Sequence, residues 1–213
     1  VARIYGCNKI LDHFINFGND WTSNIKIKIM LSKTFEKKKI LIYGLGVSGN
    51  SCLKFLKKKS FIKIFDDNNS LKNRKNEKIF LKKKDVINSK FDYIILSPGI
   101  DIKKCNLKSY LIKNCKRIIT ELDIFQKCYP KNTKITITGT NGKSTTCQML
   151  YDILRIKKKD VRLVGNIGNS PLQEKKIKKN TIFIVEASSY QISYNKFFKA
   201  DYAAILNLSV DHL

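Results

Sequence analysis

The sequence predicts an α/β fold made of two successive parallel-sheet units. Short apolar runs rich in β-branched residues alternate with helical stretches from Lys39 onward, as in βαβ units whose strands are parallel. Two of these runs end in glycine turns, GLGVSG at 44–49 and GTNGKST at 139–145. Because a glycine turn between a strand and a helix is suited to phosphate groups, we expect a Rossmann-like N-terminal domain followed by a P-loop-type α/β domain.

The first unit contains strands and helices in alternation. The predicted elements are strands at 38–43, 61–67, 91–96 and 117–119 and helices at 50–59, 108–114 and 121–127. The first strand runs into the glycine turn, and the second, FIKIFDD, ends in two acids. The third strand ends in the turn SPGI at 97–100, which we expect beside the glycine turn because parallel strands share one carboxyl edge.

A break at 128–132, with the sequence CYPKN, separates the two units. The predicted elements of the second unit are strands at 134–138, 160–164, 181–186 and 202–207 and a helix at 145–156. We therefore expect an unassigned leader at 1–29, a first domain at 30–128 and a second domain at 129–213. The sequence stops directly after a strand end, the edge at which α/β enzymes carry their chemistry, so we expect the second domain to be incomplete.

Composition leaves one remote alternative. The 213 residues include 42 Lys and Arg against 17 Asp and Glu, a formal net charge of +25, which would suit a basic nucleic-acid-binding protein. The lysines are spread in runs along the whole chain and aromatic residues do not alternate with arginine, so we expect no nucleic-acid partner. No apolar run approaches the roughly 20 residues that cross a bilayer, and no signal peptide is visible. We expect a cytoplasmic monomer without a membrane partner.

The stretch GTNGKST predicts an ATP site. Its two glycines let backbone N–H groups turn towards an anion, and Lys143 adds a positive charge. The hydroxyl of Ser144 or Thr145 can join the coordination shell of Mg²⁺. The general P-loop pattern has its first glycine where this chain has Ile137, so the loop is a shorter variant. The predicted nucleotide-binding residues are Gly139, Thr140, Asn141, Gly142, Lys143, Ser144 and Thr145.

The glycine turn of the first unit predicts a second site. Gly44, Gly46 and Gly49 match the spacing of the dinucleotide fingerprint, and Asp66 lies about 20 residues further on, as a ribose-binding acid would. The spacing suits a nucleotide or a nucleotide-sugar, while a strand-to-helix bend without ligand is the alternative. The SPGI turn at 97–100 can form one wall of the same pocket.

Polar residues also follow the strand ends of the second unit. Glu186 ends the strand TIFIVE and can hold the Mg²⁺ of ATP, directly or through water, while a surface acid is the alternative. Asn166 lies between two glycines, where a ligand can approach closely. Asn207 closes the strand YAAILN, and His212 follows at the same edge.

Together these stretches resemble the Mur ligase family, ATP-dependent enzymes that add amino acids to the peptidoglycan precursor. GTNGKST is similar to the ATP loop of the family, and GLGVSG, SPGI, GNIG, EASSYQ and LN-x-x-x-DHL are similar to the members that add D-glutamate. The resemblance runs from about Lys39 to Leu213. It implies a UDP-substrate-binding domain, part of a central ATPase domain, and a C-terminal domain beyond Leu213.

The resemblance also implies a reaction and its residues. The carboxylate of UDP-N-acetylmuramoyl-L-alanine takes the γ-phosphate of ATP to give an acyl phosphate, and the amine of D-glutamate then displaces the phosphate. The implied catalytic residues are Lys143, Glu186 and His212, with Ser144, Glu186 and His212 as ligands of Mg²⁺. The implied substrate-binding residues are Gly46, Val47, Ser48, Asp66, Asp67, Ser97, Pro98, Gly99, Asn166 and Ser188. Because half of the cleft would be missing, we expect this chain alone to form no product.

Two alternatives stay within the same superfamily. One is a sister Mur ligase that adds another amino acid, and the other is a ligase similar to folylpolyglutamate synthase. The folate enzyme lacks a glycine-turn domain at its start, so the resemblance favours the D-glutamate-adding members.

Overall fold

A computed structural model describes residues 34–71 and 77–209 of the chain. Within these ranges the chain forms two four-stranded sheets, and the strands of both are paired in parallel. The predicted α/β fold with two parallel-sheet units is therefore confirmed. The leader predicted at 1–29 and His212 lie outside the described residues. None of the helices in these ranges is long and apolar enough to cross a membrane.

The first sheet is built around its first strand. Its strands are β1 (Lys39–Tyr43), β2 (Phe61–Phe65), β3 (Tyr93–Leu96) and β4 (Ile118–Ile119), and its helices are α1 (Val47–Leu56), α2 (Lys83–Ile87), α3 (Lys108–Lys113) and α4 (Glu121–Cys128). The strand order is β2-β1-β3-β4. Because the chain leaves β1 for one side and returns on the other at β3, the carboxyl ends of these two strands flank the crevice in which such sheets bind ligands.

The second sheet places the GTNGKST loop between two strand ends. Its strands are β5 (Lys134–Thr138), β6 (Val161–Gly165), β7 (Ile182–Glu186) and β8 (Tyr202–Ile205), and its helices are α5 (Lys143–Ile156) and α6 (Ser189–Tyr194). The strand order is β6-β7-β5-β8. The loop that follows β5 therefore lies between the ends of β7 and β8, and Glu186 and Asn207 flank it.

The two helices that follow the glycine turns begin earlier than the sequence predicts. Helix α1 begins at Val47 rather than at residue 50, because Gly46 is in an extended conformation and serves as its N-cap. Helix α5 begins at Lys143 rather than at residue 145, because Gly142 caps it in the left-handed conformation, with φ of 81°. Each helix thus begins inside its glycine turn, and its N-terminal N–H groups belong to the turn. Helices α2 and α6, of five and six residues, were not predicted from the sequence.

One apolar core continues from the first sheet to the second. Phe125 on α4 packs edge to face against Phe183 on β7, with ring centroids 4.8 Å apart, and the ring of Tyr129 lies 5.7 Å from Phe183. The same cluster of buried side chains contains Ile40 of β1 and Val185 of β7. Helix α4 therefore joins the two units by burying aromatic surface between them.

Helix α4 also makes a polar contact with the second unit. The carboxylate of Asp123 is fully buried, and its Oδ1 accepts hydrogen bonds from the backbone N–H groups of Lys196, Phe197 and Phe198 at 2.8, 2.5 and 3.2 Å. Its Oδ2 accepts from the N–H of Thr120 at 2.8 Å, which completes a capping box at the start of the helix. One side chain therefore caps α4 and satisfies three amides of the other unit.

Candidate functional site

The three glycines of the first turn have three different structural roles. Gly44 has a φ of 94°, a conformation that glycine adopts without strain. A Cβ on Gly49 would lie 1.9 Å from the carbonyl oxygen of Gly44, so this glycine allows α1 to pack closely on the turn. A Cβ on Gly46 would have no atom within 4 Å, so this position faces open space. Tight turn, ligand approach and close packing are the three functions of the fingerprint.

Two acids at the end of β2 have different surroundings. Asp66 accepts hydrogen bonds from the N–H of Leu45 at 2.6 Å and from the N–H of Asn68 at 2.8 Å, so it ties β2 to the glycine turn. Asp67 accepts from the hydroxyl of Tyr43 at 2.6 Å and from the amide of Asn106 at 2.9 Å. Burial of the Tyr43 ring, with help from the Asp67 hydrogen bond, raises the pKa of the Tyr43 hydroxyl far above its ordinary value.

The SPGI turn is fastened to the glycine turn. The hydroxyl of Ser97 donates to the carbonyl oxygen of Gly44 at 2.7 Å, and the N–H of Ser97 donates to the carbonyl oxygen of Tyr43. Ser97 is buried, whereas Gly99 behind it is exposed and has no atom within 4 Å of an added Cβ. The turn after β3 therefore forms the wall of the crevice that faces the turn after β1, as the sequence predicts.

A cavity of about 410 Å³ lies between the two units and collects most of the predicted substrate-binding residues. Those that line it are Gly46, Val47, Ser48, Asp66, Ser97, Pro98, Gly99 and Asn166. Asp67 and Ser188 are not among its lining residues, although Ser188 caps α6 next to it. The cavity has the size of a small-molecule site and walls from both units.

Sequence reasoning missed three polar side chains that line this cavity, namely Glu121, Ser170 and Gln191. Gln191 and Ser188 form a capping box at the start of α6, and the spacing S-x-x-Q was a local signal that could have identified it. Glu121 and Ser170 are 49 positions apart and meet only in the folded chain.

Glu121 lies in a chain of buried hydrogen bonds that crosses from one unit to the other. The Ser170 hydroxyl donates to its carboxylate, and the Ser51 hydroxyl of α1 contacts the Ser170 hydroxyl. These three side chains are between 1% and 5% exposed. Burial raises the pKa of the Glu121 carboxyl, and hydrogen bonds from Ser170, Ser48 and Ser51 act in the opposite direction. The cavity therefore has a polar floor shared by both units.

The GTNGKST loop has the shape of a phosphate site. Gly139 and Gly142 have φ values of 141° and 81°, which favour glycine. Among the described residues, no side chain caps the N-terminus of α5, where the loop ends, so the first N–H groups of this helix and its dipole face the loop. The Lys143 Nζ atom donates to the carbonyl oxygens of Gly139 and Thr140 at 2.6 and 2.8 Å, so the lysine lies folded against the loop. Thr145 is exposed in the first turn of the same helix.

Glu186 connects the loop to the cavity. Its Oε2 atom accepts a hydrogen bond from the Ser144 hydroxyl at 2.8 Å, and its Oε1 atom accepts from the Asn166 amide at 3.1 Å. The side chain is 1% exposed, at the end of β7. Burial, and next the negative charge of Glu186, raises the pKa of the Cys147 thiol to about 12. A single carboxylate thus touches one residue of the GTNGKST loop and one residue of the cavity.

Known domain families match both units of the chain. The family described as the Mur ligase MurD-like N-terminal domain matches residues 38–119, and the Mur ligase middle domain matches residues 137–213. Among solved structures, the crystal structure of UDP-N-acetylmuramate:L-alanyl-gamma-D-glutamyl-meso-diaminopimelate ligase from Neisseria meningitides has a TM-score of 0.49. It is 16% identical over 83% of this chain and 62% of that chain.

Curated relatives share the name UDP-N-acetylmuramoylalanine–D-glutamate ligase. The relative from Rickettsia conorii is 38% identical over 83% of this chain and 36% of its own length, and that from Buchnera aphidicola subsp. Schizaphis graminum is 36% identical over 86% and 42%. The relative from Caldicellulosiruptor saccharolyticus is 32% identical over 83% and 41%. The chain spans about two fifths of the length of these relatives. The two Mur ligase domain matches together cover most of the chain, the resemblance found in the sequence is confirmed, and the chain belongs to the Mur ligase family.

Proposed function

We propose that this chain carries the ATP site and the UDP-substrate cleft of a ligase that adds D-glutamate to UDP-N-acetylmuramoyl-L-alanine. The observation that carries the proposal is the position of Glu186, whose two carboxylate oxygens contact Ser144 of the phosphate loop and Asn166 of the cleft. A reaction that moves phosphate from ATP to a second substrate needs such adjacent sites. The relatives named for D-glutamate addition support the choice of substrates.

The phosphate loop would bind ATP through its backbone and its lysine. The N–H groups at the start of α5, from Lys143 to Thr145, face the position of the phosphates, with Gly139 to Gly142 shaping the turn. The Lys143 ammonium group would leave the carbonyl oxygens of Gly139 and Thr140 and contact the phosphate oxygens, which are stronger acceptors because they are charged.

The side chains next to the loop fit Mg²⁺. The Ser144 hydroxyl and the Glu186 carboxylate lie 2.8 Å apart, and Mg²⁺ at nucleotide sites takes one or two such ligands together with phosphates and water. Within residues 34–71 and 77–209, no group of three or more His, Cys, Asp or Glu side chains could hold a metal ion by itself. We assign Ser144 and Glu186 to this Mg²⁺ and His212 to a second one. Bound Mg²⁺ neutralises the negative charge that develops on the phosphate oxygens.

The cleft would bind the UDP-linked substrate. In the part of the chain that the structure describes, no side chain caps the N-terminus of α1, which opens at Gly46, Val47 and Ser48. A diphosphate there can accept hydrogen bonds from backbone N–H groups. The turn at 97–99 would form the opposite wall, and Asp66 would contact the nucleoside. We assign Asp67 to the uridine side of the same substrate, Asn166 to its sugar near Glu186, and Ser188 to a further substrate contact.

The chemistry proposed for the complete site has two steps. The carboxylate of the bound substrate attacks the γ-phosphorus atom of ATP, and ADP leaves. The amine of D-glutamate then attacks the acyl carbon and phosphate leaves, which forms the amide bond. This chain would hold the sugar of the substrate with Asn166 and stabilise the transferred charge with Lys143 and the amides of α5. Such a reaction consumes ATP and fits a cytoplasmic location. The proposed domains are 30–128 for the UDP-linked substrate and 129–213 for ATP.

Calorimetric titration of the 213-residue chain tests the proposal. We expect it to bind MgATP and UDP-N-acetylmuramoyl-L-alanine at separate sites. Lys143→Ala should lower the affinity for MgATP by about tenfold or more, because it removes a charge-assisted contact, and should leave the affinity for the UDP-linked substrate unchanged. Asn166→Ala should lower the affinity for the UDP-linked substrate and leave the affinity for MgATP unchanged.

Three controls separate the alternatives. Preference for UDP-N-acetylmuramate without alanine would indicate a sister ligase, and preference for a tetrahydrofolate would indicate the folate-type enzyme. Oligonucleotide binding that is tight at physiological salt and insensitive to Lys143→Ala, without any binding of MgATP, would overturn the proposal in favour of a basic nucleic-acid-binding protein.

A further inference from the structure

We infer that Asn207 is a positioning residue for the phosphate loop, and that its side-chain carboxamide holds the tip of the loop in the shape that receives a triphosphate. Asn207 follows β8 and does not belong to the GTNGKST stretch. The inference rests on the proposed ATP site and adds a residue that neither the loop motif nor the cleft includes.

The first observation is a reciprocal pair of hydrogen bonds. The Oδ1 atom of Asn207 accepts the backbone N–H of Asn141 at 2.9 Å, and its Nδ2 atom donates to the backbone carbonyl oxygen of Asn141 at 3.0 Å. The backbone N–H and the backbone carbonyl of Asn141 are thus both satisfied by the side chain of Asn207. A carboxamide is suited to this arrangement because it carries a donor and an acceptor side by side, whereas a carboxylate offers acceptors alone and an aliphatic chain offers neither.

The second observation is that the backbone on both sides of Asn207 contacts the loop. The N–H of Leu206 donates to the carbonyl oxygen of Thr138 at 2.9 Å, and the N–H of Thr140 donates to the carbonyl oxygen of Asn207 at 3.1 Å. The N–H of Ser209 donates to the hydroxyl of Thr140 at 3.1 Å. The β8 pairing therefore continues beyond the strand and places the carboxamide opposite the tip of the loop.

Gly139 explains why this segment can come so close. A Cβ at this position would lie 3.1 Å from the carbonyl oxygen and 3.2 Å from the nitrogen of Asn207. The glycine is therefore needed for the approach of the 206–209 segment as well as for its own φ of 141°. A larger residue would separate the loop from the residue that holds it.

The contact with Asn207 matters because the loop is short. Only Thr140 and Asn141 separate the two glycines, and Ile137, at the position of the first glycine in the general pattern, is buried in β5 and pairs with Glu186. The N–H groups of Thr140 and Asn141 are both directed to Asn207. The amides that remain directed at the phosphates are then those at the start of α5, and Asn207 fixes their position by fixing the loop before them.

Two substitutions separate the hydrogen bonds from the charge. Asn207→Asp keeps the size of the side chain but faces the Asn141 carbonyl with an acceptor, and Asn207→Leu removes both hydrogen bonds without adding charge. Asn207 is exposed, so both variants should fold. Asn88→Asp makes the same exposed change at the end of α2 in the first unit and serves as the matched control.

The test measures the loop without ligand and then with ligand. In the free chain, amide hydrogen exchange at Asn141 should speed up by about tenfold or more in both Asn207 variants and stay unchanged in the control. In titrations, both variants should bind MgATP about tenfold more weakly than the wild type. Affinity for UDP-N-acetylmuramoyl-L-alanine should stay within about twofold, which a general loss of structure would not allow.

The outcomes distinguish the inference from the function on which it rests. Wild-type exchange at Asn141, or wild-type MgATP affinity, in Asn207→Leu would overturn the inference while the ATP site stands. Weakening by Asn207→Asp alone would also overturn it, because charge and not the lost hydrogen bonds would then be responsible. A wild-type chain that binds no MgATP would overturn the proposed function and the inference together.

Discussion

At the scale of single residues, the most unusual side chain outside the site is Lys134. It begins β5, it is 1% exposed, and its Nζ atom donates to the carbonyl oxygens of Tyr129 and Asn132 at 2.6 and 2.8 Å. Burial lowers the pKa of this ammonium group to about 8, against the opposing effect of Asp201. The lysine thus fastens the segment between the two units at the cost of burying a charge.

We predict that Lys134 makes stability depend on pH between about 8 and the ordinary lysine pKa of about 10.4. In that window the unfolded chain holds a proton that the folded chain has released, so the free energy of unfolding contributed by this group rises with pH. Below pH 8 both states are protonated, and the contribution is constant. Denaturant titrations at pH 7 and pH 10 should show a larger increase for the wild type than for Lys134→Met. Equal increases would contradict the prediction.

At the scale of elements, the glycine turn predicts a matched pair of substitutions. Gly49→Ala places a methyl group 1.9 Å from the Gly44 carbonyl oxygen, so α1 must move away from the turn, and we expect the free energy of unfolding to fall by about 2 to 3 kcal/mol. Gly46→Ala meets no atom within 4 Å and should leave the free energy of unfolding within about 0.5 kcal/mol. Urea titrations measure both values.

The same pair tests the function of the turn. Gly46→Ala fills the opening at the start of α1 and should lower the affinity for UDP-N-acetylmuramoyl-L-alanine by about tenfold in calorimetric titrations, although it leaves the fold intact. Unchanged affinity would show that the substrate does not approach this part of the turn.

Elements were predictable from the sequence where a local pattern carried the information. The strands and the two glycine turns were visible because buried parallel strands are continuous apolar runs and because sharp turns need glycine at particular positions, such as Gly44 and Gly142. The contact between Glu121 and Ser170 was not predictable, because it joins positions 49 residues apart that no local period relates. The same holds for Asn207, which the sequence shows only as the end of a strand.

At the scale of the whole molecule, helix α4 makes both apolar and polar contacts between the two units. Phe125 of α4 is packed against Phe183 of the second sheet, and Asp123 of the same helix binds three amides at 196–198. Apolar burial and satisfied buried amides therefore stabilise the same interface. The cleft, which has walls from both units, depends on this interface for its width.

We predict that Asp123→Ala weakens the contact between the units. It leaves four backbone N–H groups without their acceptor, those of residues 196–198 and that of Thr120, and we expect the free energy of unfolding to fall by about 3 kcal/mol. Amide exchange at 196–198 should accelerate more than exchange in β5. Asp85→Ala removes another acid from the first turn of a helix at an exposed position and should have little effect. Equal effects of the two substitutions would reduce the role of Asp123 to capping.

The position of Glu186 between Ser144 and Asn166 has a consequence for the order in which ligands arrive. If Mg²⁺ binds one oxygen of the Glu186 carboxylate, the other oxygen becomes a weaker acceptor for the Asn166 amide. That amide would then be free to turn to the sugar of the proposed substrate. Occupancy at the loop then changes affinity in the cleft, and thermodynamic reciprocity requires an equal change in the other direction. The two pockets would behave as one coupled system whose coupling free energy resides in a single side chain.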